Sequence, residues 1–220
     1  MKSIVIIGAG GHAHSILSLL KRLNKFKPAG LVDTYRSTGE QLYGLPVLET
    51  LEKLVQFCFE ESIFCFCIAI GDNFQRQAMM NRLRQMIPEA EFPVLVDPTA
   101  VVAADAQLQP GVVVMAHAHV GAGCRLEQGV LVNTMASIDH DSVMGAFASL
   151  APGAITGGCV EIGDRSFLGL GARVIHDIRI GADTVVGAGA LVLKNLPGGV
   201  VSHGSPAHVK RSRQPDERYL

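Results

Sequence analysis

Residues 114–144 read V-M-A-H-A-H-V-G-A-G-C-R-L-E-Q-G-V-L-V-N-T-M-A-S-I-D-H-D-S-V-M, and every sixth residue is aliphatic: Val114, Val120, Leu126, Val132, Ile138 and Met144. The register runs back to Val102 and Leu108. It runs on through Leu150, Thr156, Ile162, Leu168, Val174, Ile180 and Val186 to Val192, with Thr156 as its non-aliphatic member. Two places before each of these anchors the side chain is small or aliphatic, as in Ala118, Cys124, Ala136, Ser142, Ala148, Ala154 and Ala172. Glycine often follows the anchor, as at Gly121, Gly145, Gly163 and Gly181. Repetition at this short period marks a β-solenoid made of hexapeptides. Each unit supplies a short strand and a corner, and three units close a triangular coil of about 18 residues. The anchors fill the interior, the small residues fit the corners, and glycine is expected to relieve backbone strain at the turns. The repeats amount to roughly five coils, stacked about 4.8 Å apart.

Upstream of Pro98 the pattern changes. Ile4–Ile7, Ala29–Asp33, Phe64–Ile70 and Phe92–Val96 read as short buried strands, with helical periodicity between them, as at Ile16, Leu17, Leu19, Leu20 and Leu23. Such alternation predicts a parallel sheet covered by helices. The expected organisation is therefore an α/β domain over 1–97, a β-helix over 98–195 and a tail over 196–220.

Composition narrows the function. The 220 residues are 48% apolar and 18% charged, with 24 glycines, no Trp and a formal net charge of −1. That excludes disorder and the basic excess of a nucleic-acid binder. The apolar start is too short for a leader or a membrane span, so a cytoplasmic protein is expected. The five cysteines, Cys58, Cys65, Cys67, Cys124 and Cys159, lack framework spacing and read as reduced thiols. Cys65 and Cys67 fall in a strand rather than a metal pair.

Several residues carry chemistry. His140 follows anchor Ile138 by two and so points outward; its neighbours one coil away are Ala122 and Gly158, which leave room beside it. An imidazole suits proton removal from an attacking amine or hydroxyl, with Asp139 or Asp141 holding its other nitrogen. Gly8, Gly10, Gly11 and His12 follow a strand and open a helix, where backbone amides favour phosphate. Asp33 and Asp72-Asn73 end the next strands on the same sheet edge and are candidates for the same ligand. His117-x-His119 has no further ligand in its columns, so no metal is expected there. His176 lies in the His140 column two coils on, about 10 Å away by strand spacing.

Two segments resemble the NeuD/PglD-like family of sugar O- and N-acetyltransferases: Ile6-Ile7-Gly8-Ala9-Gly10-Gly11-His12-Ala13, and Asn133-Thr134-Met135-Ala136-Ser137-Ile138-Asp139-His140-Asp141 continuing to Ala151-Pro152-Gly153-Ala154. Ala69-Ile70-Gly71-Asp72-Asn73 and Gly204-Ser205-Pro206-Ala207 support the likeness. The resemblance implies a Rossmann-like domain that binds a nucleotide-activated sugar, and a left-handed β-helix that works as a homotrimer with acetyl-CoA between protomers. It implies His140 as general base, Asp141 as its partner, Asn133 near the acceptor sugar and a phosphate contact by His12. The acetyl-CoA groove is expected along Ser149, Gly158, Ala172 and Lys194, with no metal cofactor. Ser149 stands where many relatives have a second histidine. The implied reaction is N-acetylation of a nucleotide-linked amino-deoxy sugar. Acetylation of a sugar or sialic acid hydroxyl and a non-catalytic nucleotide-sugar-binding trimer are the alternatives.

Overall fold

A computed structural model describes residues 1–48 and 50–219, the side chain of Glu52 apart. The chain divides into two compact units, Met1–Gly71 with Gln75–Pro93, and Asp72–Phe74 with Val94–Leu220.

The first unit begins with β1 (Lys2–Ile7), α1 (Gly11–Leu23) and β2 (Phe26–Val32). A small hairpin, β3 (Gln41–Leu42) and β4 (Leu45–Pro46), leads to α2 (Leu51–Glu61), β5 (Phe66–Ile68) and α3 (Asn73–Met86). The sheet is parallel, in the order β2-β1-β5. Central placement explains why β1 is a continuous aliphatic run: Ile4 to Ile7 are all buried. α1 turns Ala13, Ile16, Leu17, Leu19 and Leu20 inward, carries Lys21 and Arg22 in its last turn, and stops at Asn24 in the left-handed conformation. Gly8 is required twice over. Its φ is +108°, and a Cβ there would meet the Ala69 carbonyl oxygen at 2.8 Å.

The expected strand Phe92–Val96 does not join this sheet. Leu95–Val96 instead pairs in parallel with Val113–Val114 and is the first rung of the solenoid. Leu95 is fully buried and Val96 half-buried, the reverse of most rungs, so the assignment depends on the strand partner and not on local pattern.

The second unit is a three-sided parallel β-helix. One face stacks the rungs from Val101–Val102 through His119–Val120, Ser137–Ile138, Ile155–Thr156 and Arg173–Val174 to Leu191–Val192. The second runs from Gln107–Leu108 to Arg179–Ile180, and the third from Leu95–Val96 to Val185–Val186. The anchors and the small residues two places before them form one buried column, Thr156 included at 2% exposure. The third face gains another rung from Val200–His203, closed by the antiparallel His208–Ser212, so the tail is partly solenoid.

Glycine acts differently from expectation. The strained backbone lies three residues after the anchor, at every sixth residue from Gly111 to Gly189, and includes His117, Met135, Asp141, Phe147, Cys159, Arg165, Asp177 and Asp183. The glycines directly after anchors answer to crowding between coils: a Cβ at Gly121 would come within 2.7 Å of the His140 amide nitrogen. Among the described residues, no helix is long and apolar enough to cross a membrane.

Candidate active site

His140 sits on the corner after the rung Ser137–Ile138. Its amide donates to Asp139 Oδ1 (2.8 Å), and its carbonyl accepts from the Cys159 amide (2.8 Å) and from Ser142 Oγ (3.2 Å). The next residue, Asp141, takes the left-handed conformation (φ 55°), which brings its carboxylate back to the imidazole. Nδ1 of His140 lies 2.9 Å from Asp141 Oδ2. With Nδ1–H donating to that carboxylate, the lone pair is placed on Nε2. The side chains remain open to solvent, 49% for His140 and 68% for Asp141. The hydrogen bond accepted by Asp141 raises the imidazole above its ordinary pKa; desolvation opposes it, and the charges of Asp139 and Asp141 add to it.

Gly158 shapes this corner. It lies one coil beyond His140, and a Cβ built there would fall on Nε2, Cε1 and Cδ2 of the ring. The imidazole therefore occupies the space that any side chain at 158 would take. Beyond it, His176 leans into the same space: the two ring centroids are 6.0 Å apart at 42°. The expected separation of about 10 Å applies to the backbones two strand steps apart; the missing side chain at 158 lets the rings converge.

The other half of the coil behaves in the opposite way. Ser149, expected beside acetyl-CoA, is 1% exposed, and its hydroxyl donates to Asn73 Oδ1 (2.7 Å). Asn73, expected to meet the sugar ligand, is fully buried. Its Nδ2 donates to the carbonyls of Arg165 (2.9 Å) and Ser166 (3.1 Å), and its amide donates to the Tyr219 hydroxyl (2.9 Å). The side-chain polar atoms of these two residues are thus engaged with each other and with the chain. Ala172, expected along the acetyl-CoA groove, has its side chain fully buried in the interior column two places before Val174. Lys194 is exposed and Asn133 half-buried, with Asn133 Oδ1 accepting the Thr134 amide at 2.8 Å.

Sequence reasoning missed Tyr219 and Arg76. Tyr219 packs on Phe167 with ring centroids 4.7 Å apart, and the Arg213 guanidinium lies 5.4 Å from the Tyr219 ring. Arg213 is 6% exposed and donates to the Asp183 carbonyl (2.8 Å), while Arg211 pairs with Glu217 (2.5 Å). Arg211 and Arg213 thus have partners within the unit; Leu220 lies outside the described residues.

In the first unit, Asp33 accepts the amides of Ala9 (2.9 Å) and Tyr35 (2.8 Å), closing the glycine turn. Gly10 and Gly11 face open space, and no side chain caps the start of α1 at Gly10. Arg76 donates to the carbonyls of Ile70 (3.1 Å) and Gly71 (3.0 Å). Burial first, and the Arg76 charge second, pull His12 down to about 4, so its ring is neutral near pH 7. Asp72 is half-buried.

Comparison with known proteins matches this arrangement. The family model described as the PglD N-terminal domain matches residues 3–83. A variant of GDP-perosamine N-acetyltransferase from Caulobacter crescentus with one histidine replaced by alanine, solved with CoA and GDP-perosamine, superposes with a TM-score of 0.91 at 35% identity, covering 96% of this chain and 98% of that one. The acetyltransferase domain of PglB from Neisseria gonorrhoeae, in complex with acetyl coenzyme A, superposes with a TM-score of 0.85 at 33% identity, over 95% and 99% of the two chains. UDP-N-acetylbacillosamine N-acetyltransferase of Bacillus subtilis is 31% identical over 121 residues, 53% of this chain and 52% of that protein. The first curated relatives are matched over no more than about half of their own length. With a paired α/β unit and β-helix, an outward histidine and solved relatives covered almost end to end, the chain belongs to the PglD-like family of hexapeptide-repeat sugar acetyltransferases.

Proposed function

We propose that this chain transfers the acetyl group of acetyl-CoA to the amino group of a nucleotide-linked amino-deoxy sugar, directly and without an acyl-enzyme. The observation that carries the reading is the His140 corner: an exposed imidazole whose Nδ1 is tied to Asp141 at 2.9 Å, leaving Nε2 to act as base. The amine attacks the thioester carbonyl, forming the new C–N bond. His140 Nε2 takes the amine proton, and Asp141 stabilises the imidazolium. The C–S bond then breaks, and the same proton passes to the departing sulfur, giving CoA and the amide. Positioning of the two substrates supplies much of the remaining acceleration.

The nucleotide end is assigned to the glycine turn at Gly8, Gly10 and Gly11, with His12 donating to phosphate. The open space at Gly10 and Gly11 supports this, as does the solved complex of the Caulobacter relative with GDP-perosamine. The working assembly is assigned as a homotrimer. The first face and its corners expose Val101, Met135, Ile155, Leu170, Ile175 and Leu193. The second face carries ion pairs such as Arg179–Glu161 (3.4 Å) and stays wet. A second copy on the aliphatic face brings the His140 corner to a seam between protomers, where acetyl-CoA fits.

The test is CoA release by the full chain with acetyl-CoA and a panel of UDP-, GDP- and dTDP-linked amino sugars. Release with an amino sugar, lost in His140→Ala while acetyl-CoA binding persists, supports the reading. Release only with sugars that lack an amine assigns O-acetylation instead, and release from neither protein leaves a non-catalytic binding trimer.

A further inference from the structure

Around His140 the corner residues form a grid. One column holds His140, Gly158 and His176; the adjacent column holds Asp141, Cys159 and Asp177, all three in the left-handed conformation. The shared backbone geometry aims the second column's side chains in one direction at successive coils. As a result, one donor atom each from His140, Asp141 and Cys159 lies within 4.8 Å of the others.

We propose that this corner is a zinc site, in which His140, Asp141 and Cys159 bind the ion, His176 completes the shell, and the bound ion switches off the general base. The last part rests on the acetyl-transfer reading above; the binding does not. The donor set is one nitrogen, one carboxylate oxygen and one sulfur, a mixture that selects a borderline-soft ion such as zinc over magnesium or calcium. The spacing fits: two ligands on a tetrahedral zinc stand about 3.3 Å apart, and His140 Nδ1 and Asp141 Oδ2 are 2.9 Å apart. The His176 ring, with its centroid 6.0 Å from that of His140, is near the roughly 5 Å that two imidazoles keep on a common ion. The absence of a side chain at Gly158 lets the His140 ring lie there, toward His176.

Cys159 is half-buried and reaches this corner, whereas Cys58, Cys65 and Cys67 are buried in the first unit and the buried thiol of Cys124 donates to the Asp139 carbonyl (3.0 Å). Burial pushes the thiols of Cys58 and Cys65 up to about 11 and Cys67 to about 12, which makes them poor thiolate ligands. Coordination through either ring nitrogen of His140 disables the base. Bound at Nε2, the ion takes the lone pair; bound at Nδ1, it leaves Nε2 carrying the proton.

The test uses the full chain, stripped with chelator, and cobalt(II) as the spectroscopic stand-in for zinc. The wild type is expected to show the visible bands of tetrahedral cobalt together with a thiolate-to-cobalt charge-transfer band. Cys159→Ser should abolish the charge-transfer band and weaken zinc binding, followed by equilibrium dialysis, at least about tenfold, the loss commonly seen when a ligand's supporting shell is cut. His176→Ala should weaken zinc binding while keeping the charge-transfer band. In the transfer assay, zinc should inhibit the wild type, chelator should restore it, and Cys159→Ser should keep full basal activity and resist zinc. No charge-transfer band in the wild type, or zinc binding unaltered by Cys159→Ser, overturns the site. If metal-free wild type and Cys159→Ser both fail to transfer acetyl groups while the cobalt bands follow Cys159, the zinc site stands and the acetyl-transfer reading falls.

Discussion

Residues 140 and 149 lie on one coil of the same solenoid, yet they sit in opposite physical settings. At 140 an imidazole is half-exposed and one nitrogen is held by a neighbouring carboxylate. At 149 a hydroxyl is sealed from water and bonded to an amide side chain 76 positions away in sequence. The first group has chemistry left to offer; the second has none. A polar residue in this family motif is therefore a site candidate only where the fold leaves one of its atoms uncommitted. The two corners should fail in different ways when altered, the one in turnover and the other in stability.

The largest expected difference is at His140. His140→Ala should lower the acetyl-transfer rate by about 10²–10⁴-fold, the usual contribution of a positioned base, with the melting temperature almost unchanged. A loss of folding instead of rate would erase the contrast between the corners. Next comes Asn73→Ala, which removes buried hydrogen bonds to the Ser149 hydroxyl and to the carbonyls of Arg165 and Ser166. It should destabilise the protein by about 2–4 kcal/mol, measured by denaturant melts, while turnover per folded molecule stays near wild type. Gly158→Ala sharpens the comparison from the catalytic side. The added methyl displaces the His140 ring, so turnover should fall about tenfold, as an ångström-scale misplacement of a reacting group can cost that much, and Ala at 122 instead of 158 shows that a methyl is tolerated in the same column where no ring lies over it. The smallest effect belongs to Ser149→Ala, about 1–2 kcal/mol of stability from losing the buried hydrogen bond to Asn73 Oδ1. Ser149→His, which installs the residue many relatives carry, should not raise turnover, because a ring has no room at a position already 1% exposed.

The solenoid was legible because its period repeats without a slip, so each anchor could be placed inside the column and His140 outside it. Its left-handed corner positions were not legible. They carry His, Met, Asp, Phe, Cys and Arg as well as Gly, with no shared side-chain property, because their conformation is imposed by the stacking of coils. The burial of Asn73 and Ser149 was not legible for a related reason. Their partnership, and the Tyr219 hydroxyl that closes over Asn73, join residues far apart in sequence, and local pattern holds no trace of that. The approach of His176 to His140 was half legible: the shared column follows from counting, but the lean of the rings follows from the empty position at Gly158. In the first unit the glycine turn was evident, whereas the neutral state of His12 depends on burial and on Arg76 from a later helix.

The pH dependence of kcat/KM for acetyl transfer, measured with chelator present in wild type and in Asp141→Asn, tests the role of His140 most directly. Only the deprotonated ring can accept the amine proton, and Asp141 raises the pKa above 6.5. Wild-type activity should therefore rise with pH through a midpoint above 6.5 and then level off. Asp141→Asn should move that rising limb to lower pH and reduce the plateau about tenfold, less than for a buried triad carboxylate because water already screens this pair. A profile without a rising limb, or one that Asp141→Asn leaves in place, would contradict the assignment of His140 as the base.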